Sequence, residues 1–255
     1  MRSSVLRTIG STITCVLVGG GVLSAVAGCT ENTRSTSKMG VDYTAESNDV
    51  SERVWKLYKS TEWKEAKVSK DSADLTRKEV KVSYKKSTEF DGHAYRAECT
   101  IEAPPEKIIN FLLPCPKGQR GKWDKSVKES SIVENINEDL LVSRTATHSA
   151  AMGLISSREF CDLILIKKYA GGILSTNSKS ISHSDCPPRD GCVRGFNHPG
   201  GTFCIPQSDG STKVVNIVQT ELGGMLPTSL VESAVPSSLI NFFVDLEQAV
   251  KASSS

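Results

Sequence analysis

The 255-residue sequence has no Gly-x-Ser-x-Gly turn, no Cys-x-x-Cys pair and no Asn-x-Ser/Thr acceptor. Without the first there is no sharp strand-to-helix turn to present a hydrolase serine. Ser149 beside His148 does not replace it, because adjacency in a strand-to-loop segment does not build a triad. Without the second there is no compact ligand pair for zinc. His183, Cys186, Cys192, His198 and Cys204 are irregularly spaced among prolines and glycines, so neither a metal nor any other cofactor is expected. The body cysteines lie in apolar or turn contexts and read as buried thiols of a reducing compartment. With no glycosylation acceptor either, the expected location of the body is cytoplasmic.

A charge of one sign is also lacking. Lysine and arginine number 31 against 29 acidic residues, a net charge of +2. No long basic run offers a nucleic-acid surface. The pairs Lys85-Lys86 and Lys167-Lys168 read as solvated strand ends, with contact to an anionic membrane as the alternative.

The first 38 residues differ from the rest. Arg2 and Arg7 precede an uncharged stretch, Ile9 to Thr30, whose two apolar segments are separated by three glycines. Small residues near Cys29 suit a secretory leader, and Val26-Ala-Gly-Cys29 resembles a lipoprotein processing box. The Ser/Thr richness and the absence of acids before Glu31 also fit an organelle transit peptide. Met39 offers a third reading, an alternative or misassigned start. Anchor, export signal, transit peptide and dispensable extension all stay open for residues 1–38, and the folded domain is expected over 46–253.

The body reads as one unit of mixed class, α+β. Val54, Leu57 and Tyr58 at helical spacing predict a helix over Asp49 to Ser60. Alternation over Lys78 to Lys86 and over Tyr95 to Ile101, around Asp91-Gly92, predicts an antiparallel hairpin. Pro104-Pro105-Glu106 opens a short helix that Pro114 stops. Further strands are predicted over Val127 to Glu134, Leu140 to Thr147, Arg158 to Lys168, Ile173 to Ser180, Gly191 to Asn197 and Lys213 to Leu222, as one long antiparallel sheet. A helix from about Pro227 to Lys251 closes the chain. It carries a capping box in Ser229-Leu-Val-Glu232 and a kink or restart at Pro236. The glycine-rich stretches Arg189 to Gly201 and Gln219 to Glu232 hold turns and a helix start but no nucleophile. That combination points to a container rather than a catalyst.

Lys122-Trp-Asp124, Ser143-Arg-Thr145, Ser157-Arg-Glu-Phe160, Cys186-Pro-Pro188, Val193-Arg-Gly195 and Leu226-Pro227 follow one another in an order that resembles the StAR-related lipid-transfer (START) domain family. The resemblance runs from about Asp49 to Lys251. It implies a helix-grip fold, a curved antiparallel sheet around the C-terminal helix enclosing an apolar tunnel, and a non-enzymatic monomer. Such a chain would bind one sterol, oxysterol or bile-acid-like lipid and carry it between membranes through transient contact. A ligand-dependent lipid sensor or interaction module without transfer activity is the alternative.

The resemblance also places the tunnel residues. Cholesterol-binding members carry a facing acidic and arginine pair, and the matching positions here hold Thr145 and Ile164, which implies a weaker preference for cholesterol than for a more polar ligand. Arg120 and Thr176 remain as polar contacts, Arg120 as the group for a ligand carboxylate. Ser143, Thr147, Asn216 and Val218 are expected on the sheet wall, with Trp123 beside them. Leu239, Phe242 and Leu246 are expected on the helix wall. Ala150 to Ser156 matches the family's Ω loop, with Met152 and Leu154 as ligand or membrane contacts and Gly153 as its flexible point, lying against the helix near Leu239 and Phe242.

Overall fold

The computed structural model describes residues 42–66 and 80–253. The leader, Met39 and the Lys78 start of the first predicted strand lie outside the described residues. In chain order the elements begin with α1 (Tyr43–Lys59), β1 (Lys64–Glu65), β2 (Lys81–Lys86), β3 (His93–Ile101), α2 (Pro105–Leu112), α3 (Arg120–Trp123), β4 (Val127–Asn135) and β5 (Leu140–Thr147). They continue with β6 (Arg158–Lys168), β7 (Leu174–Ser180), β8 (Val193–Arg194), β9 (Phe196–Asn197), β10 (Gly200–Pro206), β11 (Thr212–Val218), β12 (Thr220–Glu221) and α4 (Thr228–Ala252). The large sheet has the order β1-β2-β3-β11-β10-β7-β6-β5-β4, with β8 parallel to β6. Every other neighbouring pair in it is antiparallel.

The two-residue period of the strands divides the core into two layers. Cys204 and Val214 point to the inner face, where α2 and α4 cover them with Ile108, Leu112, Leu239, Phe243 and Leu246. Their neighbours Phe203 and Val215 point to the outer face, against Val50 and Val54 of α1. α1 starts earlier than the predicted Asp49, because Asp42 caps it with hydrogen bonds from the Thr44 and Ala45 amides.

Four sequence expectations are corrected. Gly191 to Asn197 is not one strand but the two short strands β8 and β9, broken at Gly195, where an added Cβ would lie 2.4 Å from the Phe160 ring. β10, which none of the predicted strands covers, is central to the sheet. Its Gly201 meets the Thr176 carbonyl so closely that a Cβ would lie 2.2 Å from that oxygen. Ser229-Leu-Val-Glu232 forms no capping box: α4 starts at Thr228 behind Pro227 without a side-chain cap, and Glu232 instead reaches His93 at 3.4 Å. Of the two readings for Pro236, the restart is excluded: the helix runs through it without a break to Ala252.

The outer face is held by a buried ion cluster. Glu159 is completely buried and accepts from Arg144 Nη1 at 3.0 Å, Arg194 Nη2 at 3.1 Å and the Arg189 amide at 2.7 Å. Arg144 and Arg194 also donate to the carbonyls of Pro187 and Cys186, pinning the segment before β8 to the sheet. Burial pushes the Glu159 carboxyl up, but the Arg189 amide and the two guanidinium groups outweigh it and hold the group below its ordinary value.

Replacing Glu159 by Gln leaves the buried Arg144 and the half-buried Arg194 without an anion and should lower stability by about 3–5 kcal/mol at neutral pH, measured by urea unfolding. A depressed folded-state pKa contributes stability above the unfolded value, about 4.3, and loses it as pH falls through the folded one. The gap between wild type and Glu159→Gln should therefore close in acid. A gap independent of pH would show that charge is not its source.

Candidate functional site

A cavity of about 660 Å³ lies between the inner face of the sheet and α4. Its two walls differ in chemistry. α4 contributes Val231, Val235, Leu239 and Phe242, joined by Leu112 and Pro114. The sheet contributes a wall rich in hydroxyl and amide groups: Ser143, Thr145 and Thr147 from β5, Thr176 and Ser178 from β7, Thr202 from β10 and Asn216 from β11. Ile164 and Val218 interrupt this polar wall. Strand alternation places these residues on one face while the apolar neighbours Val142, Ala146 and Leu163 are buried on the other.

Some of the polar groups are already satisfied. Thr202 Oγ1 donates to Asn216 Oδ1 at 3.2 Å, and Thr147 Oγ1 accepts from the Arg158 amide at 3.1 Å. Ser143, Thr145, Thr176 and Ser178 form no side-chain hydrogen bond among the described residues, so their hydroxyls are available to the cavity. Tyr95 also lines it, with a phenol pushed up to about 12 by burial and by the nearby Glu232 carboxylate.

Arg120 reaches the cavity with its charge already matched. Its Nε donates to Asp124 Oδ2 at 2.7 Å, and its guanidinium sits 5.0 Å from the Phe242 ring centre and 5.8 Å from that of Trp123. Trp123 itself stands behind the wall, donating from its indole to the Phe111 carbonyl at 2.7 Å. Leu246 is fully buried in the core below the cavity. Met152 and Leu154 are solvent-exposed, at 101% and 66%, so their side chains do not pack on Leu239 and Phe242. Trp123, Leu246, Met152 and Leu154 thus lie outside the cavity lining, whereas the other ten predicted positions are in it.

The sequence reading missed Asp162. It lines the cavity opposite Ser143 in the β5–β6 register, and two-residue spacing from Ile164 was the signal that could have found it. Ser180 Oγ donates to its Oδ1 at 2.7 Å and Asn197 Nδ2 to its Oδ2 at 3.0 Å. Thr220 Oγ1 in turn donates to Asn197 Oδ1 at 2.7 Å. Burial raises the Asp162 pKa, against the lowering effect of these two hydrogen bonds and of the charges on Arg194 and Arg120.

Two apolar-tipped loops border the site, and one arginine joins them. Met152 has a left-handed backbone with φ 55°, followed by Gly153 at φ 88°, while Met225 is exposed on the loop before α4. Arg158, buried between the loops, donates to the Ser156 carbonyl at 2.5 Å, to Leu222 at 3.0 Å and to Gly223 at 3.1 Å. Lysine is a single-point donor and cannot span all three carbonyls. Arg158→Lys is expected to speed amide hydrogen exchange about tenfold in both 150–156 and 222–226, with the sheet core unchanged. Acceleration in only one loop would show that the arginine does not join them.

A START domain profile matches residues 45–254. StAR-related lipid transfer protein 5 of Mus musculus is 41% identical over 211 residues, covering 82% of this chain and 95% of that protein. StAR-related lipid transfer protein 6 of Homo sapiens is 39% identical over 179 residues, covering 69% and 80%. The structure of human StAR-related lipid transfer protein 5 matches with a TM-score of 0.76 at 38% identity, over 84% of this chain and 98% of that one. Sequence and architecture agree over the same body: the chain belongs to the START domain family.

Proposed function

We propose that this chain binds one sterol- or bile-acid-like lipid in the cavity and carries it between membranes. The observation that carries this reading is the unlike pair of walls. An apolar helix face opposite a sheet face of hydroxyls suits a flat, rigid ligand with one apolar side and one hydroxylated side. The volume, about 660 Å³, falls within the roughly 300–1,000 Å³ typical of small-molecule sites.

The energetics favour a carrier of apolar cargo. Burying apolar ligand area contributes about 25 cal/mol per Å², and part of that is offset by association and ordering costs. Each ligand hydroxyl left without a partner costs a further 1–3 kcal/mol or so, so the polar wall selects among ligands that the apolar wall holds equally well. Thr145 and Ile164 leave no charge pair to read a single polar end, which supports a polyhydroxylated ligand over cholesterol. The relatives described above are lipid transfer proteins by name, which supports transport rather than catalysis. The carrier in this reading is a cytoplasmic monomer that touches bilayers transiently.

The test is direct. Protein beginning at Met39 should retain a sterol- or bile-acid-like lipid detectable by mass spectrometry and should accelerate its exchange between donor and acceptor vesicles. No binding to any sterol, oxysterol or bile acid would overturn the proposal. Binding without faster exchange would make the chain a sensor. Arg120→Ala should weaken a carboxylated bile acid about fivefold more than its uncharged alcohol, in calorimetric titration. Equal losses would assign Arg120 to the wall alone.

A further inference from the structure

Among the acidic side chains that reach the cavity, Asp162 differs from the rest in its burial. Glu221 and Glu232 sit at the exposed rim, each against a histidine, and Asp91 is 98% exposed beside Lys86. Asp162 lies on the sheet wall itself, 8% exposed, and forms no ion pair with any described residue. Each of its oxygens accepts one hydrogen bond, from Ser180 or Asn197. A carboxylate oxygen has room for about two such bonds, so each retains accepting capacity. Directly across the strand pair stands Ser143, also buried, with a hydroxyl that no described group engages.

We propose that Asp162 and Ser143 form the specificity-determining anchor for a neutral hydroxyl group of the ligand. Asp162 accepts from that hydroxyl, and Ser143 donates to it. This rests on the cavity being the lipid site. The chemistry selects an alcohol over the two charged alternatives. A ligand carboxylate at this point would face the Asp162 carboxyl. A ligand ammonium would meet the positive charge of Arg120, which lines the same cavity and is close enough to act on Asp162. An alcohol carries no charge, and as both donor and acceptor it can use both partners at once.

The supporting groups are arranged to hold this geometry. Asn197 is oriented by Thr220 Oγ1 at 2.7 Å, and its own amide donates to Ser180 Oγ at 2.8 Å. Asp162 therefore cannot swing away from the wall without breaking a chain of bonds reaching β7, β9 and β12. Burial shifts the carboxyl toward its neutral form, which lowers the penalty for keeping it beside an apolar ligand.

The experiment compares a hydroxysterol with the same sterol methylated at that hydroxyl, by fluorescence or calorimetric titration. Wild type should prefer the free hydroxyl by about tenfold or more. Asp162→Asn should cut affinity for the hydroxysterol about tenfold and leave the methyl ether within about twofold. Ser143→Ala, which disturbs none of the Ser180–Asn197–Thr220 bonds, should show the same selectivity with about a threefold loss, and it carries the test if Asp162→Asn unfolds. Equal losses for both ligands, or none for either, would overturn the anchor. If wild type binds neither sterol, the anchor is overturned, and the proposed function falls with it only when bile acids fail to bind as well.

Discussion

The buried contact between Glu159 and the arginines 144 and 194 is the constraint on which the rest of the structure depends. A completely buried carboxylate is tolerable only when cations and amides replace its lost water, and the segment from Cys186 to Arg194 supplies them. That fixes β8 beside β6 and brings β9 into position to pair with β12. Asn197 on β9 then reaches Asp162 on the opposite face of β6. The charge cluster on the outer face and the polar group in the cavity are therefore coupled through one short run of chain.

A sheet wall bearing hydroxyls would be unfavourable if nothing filled the space before it. Two arrangements make it stable here. Part of the wall bonds to itself, as Thr202 does with Asn216, and the opposite face of the same strands supplies the hydrophobic burial that the inner face forgoes. Phe203 and Ile217 pack under α1, while on the inner face Thr202, Asn216 and Val218 line the cavity and Cys204 and Val214 close the core beneath α2 and α4.

This division explains what could be read from the sequence. Alternation in β2 and β3 was legible because their inner and outer residues differ in chemistry, whereas Thr145, Ile164 and Thr176 were assigned to the tunnel by the family resemblance alone. β10 was not legible: it opens with Gly200-Gly201, which reads as a turn, and the reason for those glycines is the close passage of the Ile217 carbonyl of β11 at Gly200 and of the Thr176 carbonyl of β7 at Gly201, a tertiary fact. Asp162 was hidden in the apolar run Cys161 to Ile166, where a single acid looks like a solvated outward residue. The short motifs that carried the family resemblance, Ser143-Arg-Thr145, Ser157-Arg-Glu-Phe160, Cys186-Pro-Pro188 and Val193-Arg-Gly195, meet in the Glu159 cluster. They identify the scaffold more directly than the cargo. Met152 and Leu154 were matched to a loop that lies against α4, but exposed side chains leave no packing signal in sequence to place them.

Pro236 gives α4 two mechanical regimes. Because proline has no amide hydrogen, the carbonyl one turn earlier, at Glu232, lacks its helical donor. On the C-terminal side, Leu239, Phe243, Leu246 and Val250 are locked in the core. On the N-terminal side, the turns from Thr228 to Val235 are half-buried or exposed and touch mainly the cavity. The helix is therefore anchored like a cantilever, clamped along its far end and compliant at its tip, so the first two turns can bend over the cavity mouth while the hydrophobic clamp stays closed.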